Sequence, residues 1–131
     1  MKSIKAFAVI ALFFAVNTLS SQSVTDKWPA IKTFHEVMSR SFHPAEEGNL
    51  APLKNFSETL MNKAQELTKS EIPAEFKTKA MLNSIDRLQR KTVEVHKLVL
   101  SQGSDTDLTK AITEAHDIFH EIVGLCSGEK H

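Results

Sequence analysis

The sequence has one cysteine, Cys126, and only four prolines and four glycines in 131 residues. A lone cysteine cannot close an intramolecular disulfide, so the fold is not stapled by one. The helical spacing described below places Cys126 on a buried face, where a thiol acts as a small apolar group. There is no Cys-x-x-Cys-His, which excludes covalent c-type haem attachment. No segment alternates apolar and polar residues with period two, and no hairpin signal occurs, so no sheet is expected. A glycine-rich phosphate loop is missing, and so is a serine elbow. Glu-x-x-His does not occur, which removes the carboxylate-bridged di-iron bundle. With no convincing nucleophile–base order left, no catalytic residue and no enzymatic activity are expected.

An excess of positive charge is missing too. The chain carries 16 basic and 16 acidic residues. Its start reads as a secretory signal peptide: a basic Met1-Lys2-Ser3-Ile4-Lys5, an apolar run from Ala6 to Val16, then small and polar residues from Asn17 to Ser23. The apolar run is too short to span a bilayer, which takes about 20 residues. Cleavage after Ser20 or Ser21 satisfies the small-residue rule, and no cysteine stands there for lipid attachment. The expected organisation is a signal peptide over 1–21 and one domain over 22–131, in the periplasm or secreted, without stable membrane insertion. Removing 1–21 takes away Lys2 and Lys5 and leaves 14 basic against 16 acidic residues. With no basic patch, nucleic acid is not an expected partner.

What the chain does have is apolar residues at three- and four-residue spacing, with the prolines and most glycines between the periodic segments. The first helix is expected from about Asp26 to Phe42, with Ile31, Phe34, Met38 and Phe42 in its stripe and Pro44 as its stop. The second runs from about Pro52 to Lys69, on Leu53, Phe56, Leu60, Ala64 and Leu67. The third is expected to be the longest, from about Pro73 to Ser101, ended by Gly103. The fourth starts at Ser104 or Asp105 and places Leu108, Ile112, Ala115, Phe119, Ile122 and Cys126 on one line. Short connections make antiparallel neighbours, so the fold class is all-α, an up-down-up-down four-helix bundle.

Four of the six histidines fall in two short segments: Phe34-His35 running on to Phe42-His43-Pro44, and His116-Asp117-Ile118-Phe119-His120-Glu121. The first and last helices of such a bundle are neighbours. On heptad positions His35 and His116 both flank the seam between them, at similar heights. Imidazoles facing each other across two helices make a transition-metal site. His120 stands one turn beyond His116, the i, i+4 spacing that can hold one metal from a single helix. The expected metal ligands are therefore His35, His116, His120 and His43, with a zinc or copper ion as partner. Glu36, Asp117 and Glu121 are nearby carboxylates that can orient an imidazole. Met38 points to the core and can offer a thioether. His96 is expected to be a satisfied boundary residue.

An exported bundle with Met38 in its first helix and His116 or His120 in its last resembles the periplasmic four-helix cytochromes of the b562 and c′ types. The resemblance covers the mature chain in architecture only. It implies non-covalent haem b between the first and last helices, with Met38 and His116 as cofactor-binding residues, and electron transfer as the function. Met38 sits mid-helix and not near the helix start, where the b562 type has its methionine. The same two histidine segments also resemble small exported bacterial bundles, which imply metal handling without an established activity. A ligand-free structural or adaptor bundle is the third reading. There, a second apolar row on the third helix, Leu82, Val93 and Leu100, would meet a protein partner or a second copy.

Overall fold

A computed structural model of the chain describes residues 26–127. The expected signal peptide over 1–21 lies outside them, as does His131. The described residues form four long helices: α1 (Pro29–Glu46), α2 (Ala51–Lys69), α3 (Lys79–Leu100) and α4 (Asp105–Cys126). None is long and apolar enough to cross a membrane.

Helix α1 runs through Pro44 instead of stopping before it. A proline costs a helix mainly its own missing N–H bond and a clash one turn back. Here that loss falls in the final turn, where Ala45 is buried and the end is closed by another residue. Gly48 adopts φ +88°. Its N–H donates to Ala45 O at 3.0 Å, and the Asn49 N–H donates to Pro44 O at 2.9 Å. This is a Schellman closure, and it needs the left-handed conformation that glycine adopts without a Cβ penalty.

Helix α3 starts at Lys79 and not at Pro73, so at 22 residues it is no longer than α4. Thr78 is the reason. Its hydroxyl accepts the Met81 N–H at 3.1 Å, satisfying a donor that the first turn leaves open. The preceding segment is a turn, with the Phe76 N–H donating to Pro73 O at 2.9 Å. It folds Ile72 and Phe76 into the core. The far end of α3 also differs from expectation. The left-handed residue is Gln102, at φ 58°, not Gly103. Gln102 N–H donates to Val99 O at 3.1 Å and Gly103 N–H to Leu98 O at 2.8 Å, a second Schellman closure. Helix α4 opens on Ser104, whose hydroxyl accepts the Asp107 N–H at 3.1 Å. Asp105 and Asp107 add favourable charge at the positive end of the helix dipole.

Each helix packs on its sequence neighbours, and α1 closes the ring against α4. Cross-helix pairs run in opposite order along three of the four seams, which fixes the direction of the fourth. Between α2 and α3, Ser57 meets His96 and Ala64 meets Gln89. Between α3 and α4, Ser84 meets Glu121 and Lys91 meets Glu114. Between α1 and α4, Phe34 meets Phe119 and Phe42 meets His116. Neighbouring helices are therefore antiparallel, which makes the molecule an all-α four-helix bundle.

The core is one cluster that includes Phe34, Met38, Leu53, Leu60, Ile85, Leu88, Ile112 and Ile122. Each large side chain taken from water contributes roughly 1.5–3 kcal/mol. One end is closed by Trp28, which is fully buried and stacked on Phe76 at 6.2 Å. Among the described residues its indole N–H meets no acceptor. A buried donor without a partner costs about 1–3 kcal/mol. An indole burying about 200 Å² gains roughly 5 kcal/mol, so burial wins.

Candidate metal centre

The seam between α1 and α4 is built from large rings. Phe34 and Phe119 meet across it with centroids 5.3 Å apart. Such side chains hold two helix axes further apart than alanine or leucine would. The histidines lie along the outer edge of this wall.

His35 is exposed on α1. Its ring stacks on Phe119, with centroids 5.4 Å apart and planes 16° apart. His116 is half-buried on α4, and its ring lies flat on Phe42 at 3.8 Å and 8°. His116 is thus level with Phe42, not with His35. Both imidazoles lie beside the seam as expected, but at different heights, because Phe119 and Phe42 take their ring faces. The imidazole that His116 does meet is His120, one turn along the same helix. Their centroids are 4.4 Å apart at 74°, edge to face. His43 is exposed on the last turn of α1, tilted against Phe42 at 5.8 Å. Its Nδ1 lies 3.4 Å from Glu46 Oε1.

The charges converge on His116. Burial pushes its pKa below the ordinary 6.5, and the neighbouring His120 and His43 push the same way. Asp117 and Glu46 oppose them. Four ionisable side chains from two helices therefore act on this imidazole, and Glu46 is one that the sequence reading missed. A helix stopping at Pro44 would leave Glu46 outside it, whereas α1 runs on to Glu46. Once the helix continues, His43 and Glu46 stand at i, i+3 on one face. Among the described residues no group of three or more His, Cys, Asp or Glu side chains is placed to hold a metal ion.

A further expectation changes. Glu121 does not orient a histidine. The Ser84 hydroxyl donates to its Oε2 at 2.8 Å and Arg87 Nη1 donates to the same oxygen at 2.6 Å. Both are α3 residues, so this carboxylate is committed to the seam on the other side of α4. Met38 is fully buried in the core. Across the same seam Phe34 packs on Phe119, and His116 has one face covered by Phe42. His96, by contrast, is paired as a boundary residue should be, with its Nδ1 3.0 Å from Ser57 Oγ.

No protein-family model matches the chain, and comparison with curated proteins and with solved structures found no match.

Proposed function

We propose that the protein is an exported four-helix bundle that binds a divalent transition metal, zinc or copper, through histidines of α1 and α4, and so buffers or carries it. The observation that carries this reading is the His116–His120 pair, 4.4 Å apart at i, i+4 on α4. Two imidazoles at this spacing can share one metal ion from a single helical face. His43 and Glu46 on α1 both lie within electrostatic reach of His116 and are the donors that would complete the site from the second helix. His35 would join only by leaving Phe119. An imidazole held neutral at pH 7 binds metal without first losing a proton, which suits the His116 environment. Imidazole and carboxylate donors suit zinc and copper(II), and Met38, the thioether on α1, is buried in the core.

The test is a competitive titration of zinc and of copper(II) into the untagged protein, beside His116→Ala/His120→Ala and His35→Ala variants. About one equivalent bound by the parent and by the His35 variant, and lost in the double variant, supports the reading. No binding by the parent sinks it and leaves a ligand-free bundle. Sequencing the N-terminus of the protein recovered outside the cytoplasm tests export, with Ser21 or Gln22 expected as the first residue.

A further inference from the structure

The outward face of α3 takes no part in the imidazole cluster. It carries two of the large exposed apolar side chains, Leu82 at 41% and Leu100 at 69%. Val93 stands between them, in a shallow groove of about 720 Å³ that Asp86, Arg90, Glu94 and Lys97 also line. At 3.6 residues per turn these residues fall on one outward strip of the helix, opposite the buried Ile85, Leu88 and Val95.

Along the strip the order is Leu82, Asp86, Arg90, Val93, Glu94, Lys97, Leu100. Read backwards, apolar residues fall on apolar ones and every charge falls on its opposite. Leu82 meets Leu100, Asp86 meets Lys97, and Arg90 meets Glu94. In an antiparallel pairing these three matches agree in register to within two residues, about 3 Å of helix rise. A parallel pairing would set Asp86 against Asp86 and Lys97 against Lys97, and like charges at short range oppose association. Asp86 and Arg90 already pair within the helix, which holds both charges on this strip.

We propose that α3 docks antiparallel on α3 of a second copy of the chain, about a two-fold axis level with Lys91. Such an interface is isologous, so each Leu82–Leu100, Asp86–Lys97 and Arg90–Glu94 match occurs twice. Leucines at both ends of the strip are covered, and the charges between them set direction and register. The inference does not depend on the metal reading.

Sedimentation equilibrium of the purified chain, as the cell processes it, tests this. The expected result is a dimer that Leu100→Glu converts to monomer while circular dichroism shows unchanged helix content and melting. Lys97→Asp should raise the dimer Kd roughly tenfold, since each lost match is counted twice. Adding Asp86→Lys to Lys97→Asp should restore the parent Kd, which a folding defect would not do. A parent that stays monomeric overturns the proposal, whether or not another partner covers the strip. So does a dimer indifferent to Leu100→Glu, and failure of the charge exchange to rescue overturns the antiparallel register.

Discussion

The His116 imidazole lies face to face on Phe42, with centroids 3.8 Å apart and planes within 8°. Phe42 is itself buried, so one residue both fills the core and shields a candidate ligand. Phe42→Ala should destabilise the bundle by about 3 kcal/mol, the usual cost of truncating a core phenylalanine. It should also let water reach the ring and move the His116 pKa up toward the ordinary value. Chemical unfolding reads the first effect and NMR titration of the ring protons reads the second. An unchanged His116 pKa would show that burial by Phe42 is not its cause.

The same imidazole sets a pH dependence. Its pKa in the fold lies below the ordinary 6.5, by burial first and by His120 next. The unfolded chain therefore takes up the proton more readily than the folded one. Stability from this group is complete above 6.5 and falls as pH drops below it toward the folded value. His116→Gln should flatten the unfolding free energy against pH in that window, measured in urea at several pH values. A parent and variant with parallel profiles would contradict this.

Glu121 gives a second, more acidic limb. The Ser84 hydroxyl, and after it Arg87, hold its carboxyl below the ordinary 4.5. Here the folded state resists protonation, so its contribution is complete above 4.5 and is lost as pH falls through the folded value. Glu121→Gln should remove part of the acid-induced loss of stability and leave the slope near neutrality untouched. The measurement is melting temperature against pH for both proteins.

Two neighbouring substitutions should act in opposite directions at the end of α3. Gln102 holds φ 58°, so Gln102→Gly should stabilise by about 1 kcal/mol. A Cβ on Gly103 would approach Leu98 Cδ2 and Leu98 O at 3.2 Å each. Gly103→Ala should therefore lower the melting temperature, because a backbone carbonyl cannot step aside. Equal effects of the two changes would rule out this assignment of the closure.

Cys126 should be a slow thiol. Half-burial, with Glu75 nearby, pushes its pKa up to about 11. Only the thiolate attacks alkylating reagents. Labelling with iodoacetamide at pH 8 should be roughly 100-fold slower than for a free cysteine, and denaturant should restore the ordinary rate. Fast labelling of the native protein would mean that the thiol is not shielded.

Much of this architecture was legible in residue spacing. The lines Phe34–Met38–Phe42 and Leu108–Ile112–Ala115–Phe119–Ile122 mark buried faces because a helix repeats every 3.6 residues, and both are buried as expected. The boundaries were less legible where two rules competed. Pro44 argued for a stop, but a Schellman closure at Gly48 carried the helix past it. Pro73 suited a first turn, but the Thr78 hydroxyl set the start of α3 and left Phe76 free to pack under Trp28.

The candidate site divides along the same line. The i, i+4 relation of His116 and His120 is a local property of one helix, so the sequence alone determined it, as it determined the bundle and the absence of the familiar catalytic motifs. Which partner each imidazole meets across the seam was decided only by the tertiary structure. The relative height of α1 and α4 depends on how Phe34, Phe42 and Phe119 interdigitate, and a shift of a few ångströms exchanges a histidine neighbour for a phenyl ring. It was this packing that set His35 on Phe119 and His116 on Phe42, carried Glu46 into the charge field of His116, and turned Glu121 away toward Ser84 and Arg87.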